Sequence, residues 1–279
     1  MKNVMICGLQ GSGKTCYFLG MIKEMMAGIN GFSIFPVTNY ADIVSRCNRL
    51  TDTKLPMSAR VAATDQVEYY DLELRYNMSP ITRFRWIDYP GEYVRTMSES
   101  FQSELQHAFT LLVCIDGELF KKNRKNIVPV LQNNGGNELN GAIGVAAAGG
   151  YLPPICIVVT KSDILPRKYL DAESMVPVLR QVFPTLFNRS SGGKIARLVA
   201  VSQVSLGKRF VKKAIFDPIH VEEPICYAAG NIVMYETMDS IRKLANSKKS
   251  LNAAKAEYQR ALEEYNNMPW YKRLIRLYS

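Results

Sequence analysis

Gly8-Leu9-Gln10-Gly11-Ser12-Gly13-Lys14-Thr15 fits the pattern G-x-x-x-x-G-K-[ST], between a short apolar run and an amphipathic stretch. The residue types dictate the chemistry. Gly8, Gly11 and Gly13 let the backbone curl around an anion, with successive N–H groups pointing inward. A helix starting at Lys14 directs its positive N-terminus at the same anion, with the Ser12 and Cys16 backbone in the cradle. Lys14 adds a point charge between β- and γ-phosphates, and the Thr15 hydroxyl suits Mg2+. These eight residues are built for a nucleoside triphosphate and its metal.

Two later segments bear on which nucleotide. Phe84-Arg85-Trp86-Ile87-Asp88-Tyr89-Pro90-Gly91 places D-x-x-G after a strand-like run, so that Asp88 can hold Mg2+ through a water and the Gly91 N–H can touch the γ-phosphate. Ile155-Cys156-Ile157-Val158-Val159-Thr160-Lys161-Ser162-Asp163 ends a buried strand with T-K-x-D. The Asp163 carboxylate offers two acceptors that match the adjacent N1–H and 2-amino donors of guanine, and adenine has no such pair. A polar filter of this kind rejects a mismatched ligand by roughly 10^4-fold. The Lys161 stem can lie along the base plane.

In this order, each at the C-terminal end of a predicted strand, the three motifs resemble those of the Ras-like GTPases of the translation-factor-related class, over residues 1–244. The resemblance implies GTP/GDP and Mg2+ as ligands. It implies a base-contacting loop after the next strand, where Ser202 and Gln203 stand. It also implies a mobile threonine before the second strand that joins Thr15 and Asp88 at the metal; Thr64 is favoured, with Thr53 the alternative. Such enzymes commonly carry a glutamine after D-x-x-G to orient water. Here that position is Glu92, a carboxylate repelled by a γ-phosphate, so slow, partner-dependent hydrolysis is expected. Gln10, at the loop position nearest the γ-phosphate, either hinders an external arginine or positions water itself. Arg85 and Arg95 lie near this switch in sequence.

The elements that position these groups follow from periodicity. Apolar or alternating runs near residues 4–7, 68–76, 83–87, 111–115, 155–159 and 198–201 read as about six strands, with helices between them. That order predicts an α/β fold with a mostly parallel sheet, helices on both faces, and one antiparallel edge strand from a hairpin around residues 77–80. Insertions are expected near residues 32–66 and 117–152. Residues 139–160 carry no charge, but Gly149-Gly150 and Pro153-Pro154 mark them as a glycine-rich loop or weak helix entering a strand rather than a membrane span. The chain opens into an apolar run without a signal-peptide pattern, and six scattered cysteines form neither CxxC pairs nor Cys/His clusters. A reduced, cytoplasmic protein is expected.

The net charge of +10 is uneven: residues 241–279 hold nine Lys or Arg against three Glu. Residues 245–279 are expected to form a basic helical extension. The 3–4 spacing of Leu251, Ala254, Tyr258, Ala261, Leu262 and Tyr265 suits either a helix packed on its own domain or a partner helix. Residues 268–278 mix aromatic, aliphatic and cationic side chains, which suits a protein groove first and an anionic membrane surface second. Nucleic acid is not indicated, and oligomerisation stays open. The leading reading is a GTP-dependent switch with slow hydrolysis. A non-hydrolysing GTP-dependent assembly subunit and a P-loop ATPase are the alternatives.

Overall fold

The strand β1 (Lys2–Cys7) alternates its side chains between two cores. Val4 and Ile6 enter one, and Met5 and Cys7 enter the other. This follows from a strand buried on both faces, and it sets the architecture. The computed structural model describes residues 1–61, 64–122, 126–148, 152–187, 199–246, 258–260, 262–263 and 267.

After β1 come α1 (Lys14–Ala27), β2 (Phe32–Pro36), α2 (Tyr40–Leu50) and the single turn α3 (Met57–Arg60). The hairpin β3 (Glu68–Tyr76) and β4 (Ser79–Asp88) follows, then α4 (Tyr93–Thr96), α5 (Glu99–His107) and β5 (Thr110–Asp116). The long crossover holds α6 (Leu119–Lys122), α7 (Ile127–Leu131), a π-helical kink (Gln132–Gly136) and α8 (Asn137–Ala148). The chain continues through β6 (Ile155–Thr160), α9 (Ala172–Val182), α10 (Pro184–Phe187), β7 (Val199–Gln203), α11 (Phe210–Lys213) and α12 (Glu223–Asn246).

Seven strands form one sheet in the order β2-β3-β4-β1-β5-β6-β7. The pairs β1–β4, β1–β5, β5–β6 and β6–β7 are parallel, whereas β3 is antiparallel to both β2 and β4. The seventh strand is β2, which lies outside β3 in the segment expected as an insertion. It ends at Pro36, as suits an edge. The α/β architecture with helices on both faces is the one the sequence predicts.

One core packs Phe18 of α1 against Tyr70 and Trp86, at ring-centroid distances of 4.6 and 5.2 Å, with α12 on the same face. The other packs α5, α8 and α9 against the opposite face. The uncharged stretch 139–160 resolves into α8 and β6, and no described helix is long and apolar enough to cross a membrane. Of the C-terminal extension, 258–260 and 262–263 are helical, and residues 268–278 lie outside the described residues.

The strand order reverses at β1, which lies between β4 on one side and β5 on the other. Ligands of open α/β sheets sit at that switch, outside the carboxyl ends of the strands. The loop after β1 is Gly8–Thr15.

Candidate nucleotide site

Parallel register brings the strand ends into line. Ile6 of β1 sits beside Asp88 of β4, and Asp116 of β5 beside Thr160 of β6. Motifs far apart in sequence therefore converge on the loop after β1.

That loop is tight. Gly13 holds φ +87°, a left-handed conformation that favours glycine, and the Tyr17 N–H donates to its carbonyl to begin α1. Lys14 is 6% exposed, and its Nζ donates to Gly8 O at 2.8 Å and Leu9 O at 3.3 Å. The Thr160 Oγ1 donates to Ser12 O at 2.6 Å, fastening the end of β6 to the loop. Gly91 presses on it from the other side, where an added Cβ would stand 2.1 Å from Gln10 N.

The three predicted metal residues come together. Thr15 Oγ1 and Thr64 Oγ1 are 2.7 Å apart, and they donate to Asp88 Oδ2 at 3.3 and 3.4 Å. Asp88 is fully buried and its Oδ1 has no hydrogen-bond partner among the described residues. Burial pushes its carboxyl up to about 6, with the charge of Lys14 opposing the shift. Two hydroxyls and a buried carboxylate with an unsatisfied oxygen fit a hard divalent cation such as Mg2+. Thr53 is exposed and lies off the cleft.

A cleft of about 780 Å3 is lined by Thr15 and Thr64, the phosphate loop and Asp163. Gly11, Gly13, Lys14, Thr15, Cys16, Gly91, Thr160 and Lys161 line it, and burial raises the Cys16 thiol to about 11. Met57, Val61, Val204, Leu206 and Phe210 give it an apolar wall. A polar loop beside an apolar wall suits a nucleotide. Lys161 takes φ +53° and its Nζ bonds Asp116 Oδ2 at 2.9 Å, Glu118 Oε2 at 3.3 Å and Gly11 O at 3.4 Å.

The structure places the two residues expected to begin the base-contacting loop at the end of the sheet. Ser202 and Gln203 still belong to β7 and do not line the cleft. The Ser202 hydroxyl donates to Glu223 Oε2 at 2.7 Å, and Gln203 Nε2 donates to Tyr169 O at 2.8 Å. Val204 N still bonds Val159 O at 2.9 Å, so the chain leaves the sheet only afterwards. Ser205 lines the cleft, as Val204 before it does: it donates to Asp163 Oδ1 and accepts from Gly207 N at 2.9 Å. The signal for it was the run Ser205-Leu206-Gly207-Lys208, a serine just before a glycine turn.

Glu92 is exposed, begins the α4 turn, and does not line the cleft. Gln10 lines both the cleft and a smaller cavity of about 220 Å3 shared with Leu9, Ser12, Arg95 and Asn134. Arg85 is paired with Asp71 at 2.7 Å on the sheet, away from the cleft.

A scan against protein-family models and a search of curated proteins each return no match. Among solved structures, the chain is similar to one described as the signal recognition particle receptor SRb-GTP/SRX complex from Chaetomium thermophilum. The TM-score is 0.48 at 13% identity, over 83% of this chain and 97% of that one. A likeness at that level decides nothing about function, which is argued from the residues above.

Proposed function

We propose that this chain binds Mg-GTP, hydrolyses it slowly, and acts as a GTP-dependent switch for a protein partner. The observation that carries the reading is one cleft lined by Asp163, Lys14, Thr15 and Thr64, with the buried Asp88 carboxylate behind the two threonine hydroxyls. Asp163, held by Ser205, presents the acceptor pair that guanine requires and adenine cannot use. Lys14 and the loop N–H groups hold the phosphates. Bound Mg2+ would neutralise charge on the β- and γ-phosphates. Thr64 and Gly91 stand where a γ-phosphate is sensed, so the surface around them differs between triphosphate and diphosphate forms. The basic, aromatic segment 268–278 is the proposed contact for the partner, with an anionic membrane as the second choice.

Glu92 lies exposed and off the cleft, which supports slow hydrolysis without a partner. The same observation favours a second reading, an assembly subunit that holds GTP without turning it over. The nucleotide retained on purification should be identified, and phosphate release followed with and without candidate partners. Partner-stimulated release supports the switch, retained intact GTP supports assembly, and retained ATP defeats the guanine reading. Rapid turnover by the protein alone, abolished in Glu92→Ala, would sink the proposal of slow hydrolysis. Asp163→Asn is expected to weaken GTP binding strongly, and an unchanged affinity removes the guanine assignment.

A further inference from the structure

Arg60 ends α3, and only 4% of this charged residue is exposed. Its Nη1 donates to Phe210 O at 2.8 Å and its Nη2 to Val211 O at 2.5 Å, across 150 residues of chain. Its guanidinium carbon lies 5.2 Å from the centre of the Phe210 ring, and Nε has no hydrogen-bond partner among the described residues. A guanidinium buried against main-chain carbonyls is costly for the fold, so its place in the molecule matters.

That place is behind the walls of the cleft. Met57, Ser58 and Val61 form one wall and Phe210, Val211 and Lys212 another. Each wall is a single helical turn, too short to hold itself in shape, and neither belongs to the sheet. Arg60 pins one to the other. We infer that Arg60 is a positioning residue that latches the two walls around the base of a bound nucleotide and limits its escape. The identity of that nucleotide rests on the guanine reading; the latch itself does not.

Release of methylanthraniloyl-labelled GDP and GTP from the full chain tests this, in Arg60→Met and Arg60→Lys. Loss of two charge-assisted hydrogen bonds predicts release about 10- to 100-fold faster in Arg60→Met. Arg60→Lys, with one compact donor group, falls between. Both nucleotides are affected equally, because the latch acts on the base, and association is not slowed. A folded Arg60→Met that releases nucleotide at the wild-type rate overturns the latch, as does an acceleration confined to the triphosphate. If Arg60→Met does not fold, Arg60→Lys decides on the same criterion. Failure of the wild-type chain to bind either guanine nucleotide defeats the guanine reading instead, and the latch is then tested with a labelled form of the nucleotide that copurifies.

Discussion

The hydroxyls of Thr15 and Thr64, 49 residues apart in the chain, meet at 2.7 Å and donate to the same oxygen of Asp88. The start of α1, the segment before β3 and the end of β4 must all converge for this to occur. Parallel pairing of Ile6 with Asp88 brings the strand end to the loop. The β3–β4 ladder, with Glu68 opposite Asp88, sets where the preceding chain arrives. What results is a cluster of oxygens beside a buried carboxylate.

Asp88→Asn is expected to reduce the Mg2+-dependent part of nucleotide affinity by about 10- to 100-fold, the usual effect of losing a group that acts on the metal through water. Titrating Mg2+ against labelled nucleotide measures it. The pH dependence has a defined sign. Burial lifts the Asp88 carboxyl from 3.8 to about 6, so the folded metal-free chain holds a proton that the unfolded chain releases. Its stability therefore declines as pH rises from about 4 to about 6. Mg2+ must displace that proton, so Mg2+-dependent affinity weakens as pH falls below about 6. Asp88→Asn removes both effects; a wild-type pH profile in that variant assigns them to another group.

Gly91→Ala and Gly144→Ala should move stability in opposite directions. A Cβ at Gly91 would lie 2.1 Å from Gln10 N and 2.5 Å from Leu9 C, both backbone atoms of the phosphate loop. Overpacking there is expected to cost about 1–3 kcal/mol. Displacing Gln10 also weakens triphosphate binding more than diphosphate binding. Gly144 is exposed on α8, and a Cβ there meets nothing within 4 Å. Alanine at that position should stabilise by about 0.5–1 kcal/mol through helix propensity. Urea unfolding of the two variants checks both signs.

The loop after β1, Asp88 and Asp163 were legible in the sequence because each joins a local motif to the end of an apolar strand. Parallel register then aligns those ends without further information. β2 was not legible: Phe32–Pro36 is five residues ending in proline, and pairing with β3 makes it a strand. Glu92 follows Gly91 directly, yet the turn into α4 leaves it exposed, which spacing does not reveal. Arg60 meets the Phe210 and Val211 carbonyls through a contact spanning 150 residues, beyond any local pattern. The exit point of the last strand is set by main-chain bonds at Val204, whose N–H donates to Val159 O and whose carbonyl accepts from Ser162 N, and these leave Ser205 rather than Ser202 beside Asp163.

Ser205→Ala and Ser202→Ala separate these two serines. Ser205 donates to the Asp163 carboxylate that faces the base in the proposed complex. A hydrogen bond to a charged group contributes about 1.5–3 kcal/mol. Losing it frees Asp163 to turn from the guanine edge, so preference for GTP over ATP should fall by about tenfold or more. Ser202 instead satisfies Glu223 at the start of α12, and the Ser202 side chain is buried. Its removal leaves that carboxylate without the hydroxyl and should lower stability by about 1–3 kcal/mol, with the GTP-to-ATP ratio unchanged. Competition binding and urea unfolding on the same two proteins give both numbers. Should Ser202→Ala shift the base preference while Ser205→Ala does not, the base is read from the end of β7, as the sequence resemblance implies.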